Sequence, residues 1–379
     1  MSTLARLLKE SWTLVEDRAD HVANHFYARL FLIDPNLRDL FPVQMAVQRS
    51  RLLGALVEAV QTVDDPSHFD GYLRSLGRDH RKFHVSPEHY GTVGTALIDA
   101  LRSYAGDRWT VEYERAWRDG YDAIAARMLT GAADDAAQPA FWHAEVLAHE
   151  RRGRGDVAVF TCRPLDPFDF RAGQYVSIEN QYQPRLWRNY SVANAPRADA
   201  TLEFHVRAAP AGWVSSALVR RLQVGDMIRI GPPMGTMALD PGSTRDIVCI
   251  GGGTGLAPLK ALMDELAHDN RTRWLHLFIG AQDRDDLYDA SVLRRLAGRY
   301  PWLSVVTACS NDPSYDGEQG NICDVVERFG PWQDHEFYVC GSPQMQRATL
   351  GTLARMGVEA EDIHYDSIVG PYEPAPVLR

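Results

Sequence analysis

The sequence predicts a multidomain protein with an all-α region, then an antiparallel β-barrel, then an α/β region with a parallel sheet. Through residues 1–132, apolar residues recur every three or four positions, as they do on the buried faces of helices. Over 138–238 the period changes to two, and short apolar strands alternate with turns rich in Gly, Pro and Asp. Over 243–370 strands alternate with helical stretches, which indicates a parallel sheet. The last residues, 371–379, form a loose tail in this prediction.

Length, charge and cysteine content limit the class of protein. The chain of 379 residues is long enough for three domains, and its formal net charge of −10 argues against a nucleic-acid partner or an anionic membrane surface. No apolar run is long enough to span a bilayer, and the N-terminal segment has no signal-peptide core. The five cysteines are scattered without a Cys-x-x-Cys pair, which argues against a zinc or iron–sulfur site built on cysteine. We expect a cytoplasmic protein and favour a monomer, although the sequence leaves the oligomeric state open.

In the helical region, the segment 75–94 holds three histidines, of which one has the position of a metal ligand. A helix ends near Phe83, and His80 lies on its apolar face together with Leu76. The next helix begins near Pro87, after a good N-cap. The other two histidines are expected to be solvated: His84 and His89. On this segment alone, a core histidine bonded to a carbonyl is the simpler interpretation of His80; as a ligand, a lone imidazole on an apolar face suits haem iron better than zinc.

A short run of small and acidic residues, GAADDAAQPA at 131–140, predicts a linker before the barrel. Within the barrel, RNYS stands on a strand after a turn. Arg188 can neutralise a pyrophosphate, Tyr190 can stack on a ring system and Ser191 can hydrogen-bond a ring nitrogen. The alternative is an exposed arginine beside a core tyrosine. The segment AGWVSSAL at 211–218 opens a helix, whose N-terminus favours a phosphate.

In the α/β region, DIVCIGGGTGLAPLKALMDEL gives a strand, a glycine turn and a helix in succession. Glycines let the backbone approach a pyrophosphate, and the following helix N-terminus favours its negative charge. Pro258 follows where the Gly-x-Gly-x-x-Gly pattern would continue, and no acidic residue stands clearly about twenty positions on. We therefore predict a dinucleotide site of a different kind from the standard one. The alternative is a tight turn without a ligand.

Five motifs occur in a fixed order over about 140–370: RAGQY, RNYS, GPPMG, GGGTGLAP and YVCGSP. Together they resemble the flavin and nicotinamide module of the ferredoxin-reductase type. The resemblance implies FAD in the barrel, NAD(P)H in the α/β domain, and hydride transfer from nicotinamide to flavin. The cofactor-binding residues that it implies are Arg188, Asn189, Tyr190, Ser191, Gly212, Val214, Ser215, Gly251, Gly252, Gly253, Thr254, Gly255, Pro258, Cys340 and Gly341. For Cys340 the alternative is a buried strand cysteine.

The helical region is similar to a bacterial globin, through HFYARLFLIDPNLRDLF at 25–41 and DHRKFHVSPEHY at 79–90. A globin followed by this reductase module is the arrangement of the flavohaemoglobin family. The resemblance implies haem b bound through His80, and a nitric oxide dioxygenase that passes electrons from NAD(P)H through FAD to haem and converts NO and O₂ to nitrate. It assigns five further residues: Phe41 against the porphyrin, Leu52 at the access route, Tyr27 and Gln48 over bound oxygen, and Tyr90 at the proximal imidazole.

The sequence departs from the family in three places. The Glu of the last globin helix, which bonds the proximal His and Tyr, is missing; only Asp134 and Asp135 stand in that region, and we expect them beyond the helix. Asp79 stands where a Lys is common. Ile368 stands where the family has an aromatic residue against the flavin, so the flavin cover is open to question.

Two other functions remain open. One is a flavin, peroxide or quinone reductase with a divergent globin, which the missing Glu favours. The other is a haem-based oxygen or redox sensor, which the lack of a visible output domain disfavours. The choice between NADH and NADPH is also open: Arg284 could hold a 2′-phosphate, but acidic neighbours oppose that and favour NADH. These neighbours are Asp283, Asp285 and Asp286.

Overall fold

The computed structural model describes residues 2–42, 45–62, 66–270 and 272–365. The described chain forms two compact units, one made of the residues up to Phe141 and one that begins at Trp142. The first unit is helical and the second contains two sheets, so the predicted fold class is confirmed. In the described part of the chain, no helix combines the length and the apolar character that crossing a membrane requires.

The described helices of the first unit follow the predicted spacing of apolar residues. They are α1 (Thr3–Trp12), α2 (Ala19–Ile33), α3 (Ala46–Thr62), α4 (Pro66–His80), α5 (Pro87–Ala105) and α6 (Val111–Asp134). Helices α2 and α5 supply the centre of the core, where Leu30 and Leu101 are fully buried. The predicted break between α4 and α5 is present: a 3₁₀ turn spans Arg81–Phe83, and α5 begins at Pro87.

Helices α4 and α6 touch backbone to backbone at two glycines. A Cβ atom added at Gly77 of α4 would lie 1.9 Å from the carbonyl oxygen of Met128. A Cβ added at Gly131 of α6 would lie 2.2 Å from the carbonyl oxygen of Arg74. Because no side chain fits at either position, the two glycines fix how α4, and therefore His80 at its end, packs against α6.

The linker predicted at 131–140 begins too early. Helix α6 continues through Asp134, so the first four residues of that segment are helical. The alanines of this stretch are strong helix formers, and the first helix breaker is Pro139. The connection to the second unit is therefore shorter than predicted, from Asp135 to Phe141.

The first sheet of the second unit is antiparallel. Its strands are β1 (Trp142–Arg152), β2 (Val157–Pro164), β3 (Tyr175–Asn180), β4 (Arg188–Ser191), β5 (Leu202–Arg207) and β6 (Met227–Ile230), with helix α7 (Trp213–Arg220) between the last two. The strand order is β4-β3-β6-β1-β2-β5. A bridge between Val192 and Phe204 joins the two edge strands, so the sheet closes into the predicted barrel around buried residues such as Phe160.

The second sheet is parallel, with the order β10-β9-β8-β7-β11-β12. Its strands are β7 (Asp246–Gly252), β8 (Leu275–Ala281), β9 (Leu303–Cys309), β10 (Glu318–Gln319), β11 (His335–Cys340) and β12 (Ile363–His364). The helices are α8 (Leu256–Asp269), α9 (Ala290–Arg299), α10 (Ile322–Phe329) and α11 (Pro343–Arg355). Strands β7 and β11 are adjacent, and their carboxyl ends carry the glycine turn and Cys340. In parallel sheets, ligands bind at this end of the strands.

Candidate active sites in the two units

His80 is the last residue of α4, and its ring is oriented by its own helix. The Nδ1 atom lies 2.8 Å from the carbonyl oxygen of Leu76, one turn earlier. A carbonyl oxygen only accepts, so Nδ1 carries the proton and Nε2 presents a lone pair. Burial lowers the pKa of His80, so the imidazole is neutral at pH 7, as metal ligation requires.

The surroundings of His80 fit haem iron rather than a metal held by several side chains. The ring of Phe83 meets the imidazole edge to face, with the ring centres 5.9 Å apart. Within the described residues, no group of three or more His, Cys, Asp or Glu side chains could hold a metal ion. A single neutral imidazole beside an aromatic ring is the donor set of a haem pocket.

The distal residues expected from the sequence gather around Tyr27, which is 6% exposed. Its ring packs against the rings of Phe26, Phe31 and Phe41, with ring centres 4.8, 6.0 and 5.5 Å apart. Its hydroxyl donates to the main-chain oxygen of Gln48 at 3.3 Å. Leu52 and Phe41 pack on the same core. The structure therefore brings Tyr27, Phe41 and Leu52 together, and joins Gln48 to them through its backbone.

On the proximal side, Tyr90 lies on α5 and is half-buried. Its carbonyl oxygen accepts from the hydroxyl of Tyr121 at 2.7 Å, and burial raises the pKa of the Tyr90 phenol. Among the contacts of the described residues, none joins the Tyr90 hydroxyl to His80. The role expected for Tyr90 stays a prediction.

The two aspartates in the region of the missing Glu are engaged by arginines. Asp134 is the last residue of α6 rather than a residue beyond it, and it pairs with Arg74 at 2.8 Å. Asp135 caps α6 and accepts from Arg81 through its carboxylate at 3.2 Å and its main-chain oxygen at 2.6 Å. Because guanidinium groups hold both carboxylates, the imidazole of His80 is oriented by a neutral carbonyl instead.

The other two departures from the family have different outcomes. Asp79 forms an ion pair with Lys82, whose side chain is almost fully buried. This pair sits beside His80 within the helical unit, where the carboxylate has a partner of its own. Ile368 lies outside the described residues.

In the second unit, the RNYS residues form β4 and pair with β3. Three of them, Asn189, Tyr190 and Ser191, line a cavity of about 990 Å³. Burial raises the pKa of Tyr190, so its phenol stays protonated. Arg188 is half-buried and donates to the carbonyl oxygen of Trp187 at 2.8 Å. An arginine, a buried aromatic ring and a hydroxyl on one strand fit the pyrophosphate and ring system of a flavin.

The turn at Gly212 opens α7. A Cβ at Gly212 would lie 2.5 Å from Oγ of Ser215 and 2.9 Å from Cβ of Ala209, so the turn requires glycine. The Ser215 hydroxyl accepts from the main-chain N–H of Ala209 at 3.1 Å, and Val214 is 2% exposed. These residues shape the helix N-terminus and are not among those that line the cavity.

The glycine turn closes the other side of the same cavity. Gly251 and Gly252 end β7, and a 3₁₀ turn over Gly253–Gly255 leads into α8, which contains the buried Pro258. Gly253 has a φ of +56° with open space where a side chain would stand. A Cβ at Gly255 would lie 2.3 Å from the carbonyl oxygen of Cys340. The backbone is therefore bare on the ligand side and tightly packed on the other, as a phosphate-binding turn requires.

One cavity thus joins the residues predicted separately for flavin and for nicotinamide. It is lined by β4, by Gly252, Gly253, Thr254 and Gly255, and by Cys340 and Gly341. The sequence did not single out several further lining residues: His205 and Arg207 of β5, Asn321 before α10, and Ser342 at the start of α11. For Asn321 and Ser342, the position at a helix start after a strand of the parallel sheet was the available signal.

A network of buried charges links the barrel to the α/β part beside this cavity. Glu203 accepts from Nε2 of His205 at 3.0 Å and from Nζ of Lys260 at 2.7 Å. Nδ1 of His205 lies 2.7 Å from the hydroxyl of Tyr288. Burial alone would raise the pKa of Glu203, but the hydrogen bonds from His205 and Lys260 outweigh it, and the pKa lies well below its ordinary value. The network therefore fixes β5 against α8 with Glu203 ionised.

Comparison with protein families matches three consecutive parts of the chain. Residues 24–128 match the globin family, 154–239 the oxidoreductase FAD-binding domain and 249–350 the oxidoreductase NAD-binding domain. A flavohaemoprotein of Rhodopirellula baltica is 27% identical over 398 aligned residues, which cover 97% of each chain. The chain is thus similar to flavohaemoproteins over its whole length. Its three domains follow one another in the order of the flavohaemoglobin arrangement.

Two further similarities concern the whole chain and its reductase part, respectively. The crystal structure of a flavohaemoglobin from Malassezia yamatoensis, with bound FAD and haem, matches with a TM-score of 0.79 over 97% of this chain and 99% of that one. At 19% identity this similarity shows the fold. The ferredoxin–NAD(P)⁺ reductase component of naphthalene dioxygenase and salicylate hydroxylase systems from Ralstonia is 35% identical over 217 residues, which span 64% of that protein. The chain is thus an oxidoreductase with a globin, an FAD-binding and an NAD-binding domain.

Proposed function

We propose that this flavohaemoglobin is an NAD(P)H-dependent nitric oxide dioxygenase. One NAD(P)H, two NO and two O₂ give NAD(P)⁺, two nitrate ions and one proton. When bound, the nicotinamide, flavin and haem b groups supply hydride transfer, single-electron transfer and O₂ activation. The residues of the chain bind these groups, orient them and control the charge around the reacting atoms.

The observation that carries the proposal is the buried hydroxyl of Tyr27 in an aromatic pocket. A phenol O–H stabilises an oxygen atom that gains negative charge, and it stabilises NO, which is almost apolar, much less. In the structure this hydroxyl donates its one proton to the main-chain oxygen of Gln48 in a long bond of 3.3 Å, which it would exchange for a bond to the reacting oxygen. In this proposal the side-chain amide of Gln48 is a second donor to the reacting oxygen, and Leu52 limits access to it.

His80, at the end of α4, is the proposed iron ligand and would hold the haem there. The carbonyl oxygen of Leu76 holds the proton on Nδ1 and directs the lone pair of Nε2 outward. Phe41 contributes an apolar ring to the pocket of Tyr27 and is the proposed contact of the porphyrin.

In the reductase unit, the proposed flavin contacts lie on β4. Arg188 neutralises the pyrophosphate, Tyr190 stacks on the ring system and Ser191 donates to a ring nitrogen, with Asn189 beside them. The glycine turn receives the nicotinamide nucleotide, and Cys340 lies by the nicotinamide. That the residues for both groups line one cavity supports hydride transfer inside it.

We also place the protein in the cytoplasm, with O₂ and NO as its small-molecule partners and a monomer as its working form. All five cysteines lie in the described part of the chain, are buried and form no disulfide, which fits a reducing compartment. Sedimentation of the purified protein at several concentrations measures the oligomeric state directly.

The test separates electron delivery from the reaction with NO. Stopped-flow experiments on Tyr27→Phe and Gln48→Leu should follow flavin bleaching by NADH, O₂ release and nitrate yield separately. Loss of one donor should speed O₂ release about ten- to a hundredfold, while flavin bleaching stays unchanged. If both variants keep wild-type O₂ release and nitrate yield, the distal assignment is wrong.

A second candidate function is an NAD(P)H-dependent flavin, peroxide or quinone reductase. The observation that favours it is the neutral carbonyl partner of His80, because a carboxylate partner would make the imidazole a stronger electron donor to iron. The same experiment separates the two functions. Fast flavin bleaching and fast quinone reduction with little nitrate would favour the reductase.

A further inference from the structure

The cavity has an edge formed by the carboxyl ends of β8 and β9, next to the glycine turn of β7. The N–H of Ser310 donates to the oxygen of Ala281 at 3.0 Å, and the N–H of Asn311 to the oxygen of Gln282 at 2.8 Å. Ala281, Gln282 and Ser310 line the cavity. In dinucleotide-binding sheets, the end of the strand beside the glycine turn faces the adenosine ribose, whose 2′ position differs between NADH and NADPH.

Arg284 follows β8 and is held by Asp312, which follows β9. Its Nε lies 2.6 Å from Oδ2 of Asp312, and one terminal nitrogen lies 3.2 Å from Oδ1. The same terminal nitrogen donates to the hydroxyl of Ser314 at 2.8 Å. This is a two-point contact between guanidinium and carboxylate, the geometry in which an arginine also binds a phosphate.

Asp312 is built into its own loop. Its Oδ1 accepts from the N–H of Ser314 at 3.1 Å and from the hydroxyl of Ser314 at 2.7 Å. The hydrogen bond from Arg284 holds the pKa of Asp312 far below its ordinary value, so the carboxylate is ionised at neutral pH. The arginine is therefore paired with a carboxylate that stays ionised at neutral pH and is held by its own loop.

Two other arginines near this edge are also paired with carboxylates. Asp283 pairs with Arg154 at 2.5 Å, and Asp286, which lines the cavity, pairs with Arg207 at 2.8 Å. A 2′-phosphate would bring further negative charge beside Arg154, Arg207 and Arg284, which are each paired with a carboxylate already. A ribose hydroxyl, by contrast, is a hydrogen-bond donor that carboxylates accept.

We propose that the Arg284–Asp312 pair makes this protein select NADH over NADPH, because Asp312 occupies the guanidinium that would otherwise bind the 2′-phosphate. The inference rests on the proposed nicotinamide-nucleotide site but not on the reaction with NO. Asp312 is thus a specificity-determining residue that acts through Arg284.

The experiment uses the full-length holoenzyme with ferricyanide as electron acceptor, so that haem chemistry does not limit the rate. kcat/KM is measured for NADH and for NADPH, and calorimetry measures the binding of adenosine 2′,5′-bisphosphate and of 5′-AMP. The variants are Asp312→Ala and the double variant Asp312→Ala/Arg284→Ala. Glu318→Ala is the matched control, because it removes the same charge from an exposed ion pair with Arg328 in the same sheet.

The wild-type protein should prefer NADH, and Asp312→Ala should raise both kcat/KM for NADPH and affinity for the 2′,5′-bisphosphate by about tenfold or more. NADH kinetics and 5′-AMP binding should change little, and Glu318→Ala should behave as wild type. The double variant should lose the gain, because the free guanidinium is its source.

Three results would overturn the inference: equal use of NADPH by the wild type, no gain in Asp312→Ala, or a gain that persists without Arg284. The outcome is separate from that of the proposed function. A protein that makes no nitrate but still reduces ferricyanide with a preference for NADH that Asp312→Ala relaxes would refute only the dioxygenase proposal. A protein that binds neither nucleotide would remove the site on which this inference depends.

Discussion

The two units build their candidate sites from different parts of the polypeptide. In the helical unit the site depends on side chains: the imidazole of His80, which lies beside one aromatic ring, and the phenol of Tyr27, which packs against three. In the second unit it depends largely on the backbone, at the glycine turn and the ends of parallel strands. The two sites are therefore sensitive to different kinds of substitution. Removing one side chain should disable the first, whereas adding a single methyl group should disable the second.

The sharpest test of this contrast is His80→Ala, for which we expect the largest effect. The variant should lose bound haem, because His80 is the proposed ligand of its iron. FAD content and flavin bleaching by NADH should stay at wild-type levels, since both belong to the other unit. Haem and flavin absorbance of the purified protein measures this. His84→Ala is the control, because His84 is exposed in the next turn; normal haem ligation in His80→Ala would refute the assignment.

The corresponding test of the backbone site is Gly255→Ala. The added Cβ would meet the carbonyl oxygen of Cys340 at 2.3 Å, so the turn must move. We expect NADH oxidation to fall about a hundredfold, and the second unit to lose about 1–3 kcal/mol of stability. Gly298→Ala is the control, because the added Cβ has open space within α9 and should stabilise the unit by up to about 1 kcal/mol. Equal NADH oxidation in the two variants would contradict a role for the turn.

A smaller effect is expected for Arg81, which joins the turn after α4 to the connection that follows α6. Arg81 donates to the main-chain oxygens of Asp135 and Gln138, both at 2.6 Å. Arg81→Ala should therefore cost the helical unit about 1–3 kcal/mol in denaturant unfolding followed by haem absorbance. Arg74→Ala should cost less, because the ion pairs of Arg74 are largely exposed. Equal losses in the two variants would show that the main-chain contacts of Arg81 add nothing.

The smallest expected effect is a pH dependence of the stability of the second unit. The folded-state pKa of Glu203 lies below the ordinary value of 4.5, so its ionisation stabilises the second unit above that pH. This contribution is lost as pH falls below about 4.5, because the unfolded chain then binds a proton that the folded chain does not. Thermal unfolding between pH 6 and 3 should show the difference in stability between wild type and Glu203→Gln shrinking as pH falls. A constant difference would rule out the predicted linkage.

Local patterns were enough to predict most of the fold. The three-and-four spacing gave the helices of the first unit, and the period of two gave the barrel strands, because burial on one face imposes these spacings directly. The end of α6 was placed too early, since the acidic residues that suggested a linker are held by Arg74 and Arg81, which lie about fifty or sixty positions away in the sequence. No local pattern contains such a pair.

The residues of the candidate site likewise fall into those that local motifs predict and those that depend on contacts between distant positions. Gly252–Gly255, Tyr190 and Cys340 were named from motifs, and the structure brings them to one cavity. Of the Arg284–Asp312 pair, only Arg284 was named from the sequence. The sequence showed Arg284 among acids, but the partner that holds it stands twenty-eight positions later on another strand end. Contacts of this kind depend on the order of the strands in the sheet, which local sequence patterns do not predict.

The two glycine contacts between α4 and α6 also bear on how such proteins can be recombined. At Gly77 and at Gly131, the backbone of the other helix lies so close that no side chain would fit. A chimaera that imports α4 from another globin would bring a foreign residue to one side of this crossing and leave the other side unmatched. Helices α4 and α6 should therefore be exchanged as a pair, so the smallest interchangeable piece that carries the proposed iron ligand is discontinuous in the gene.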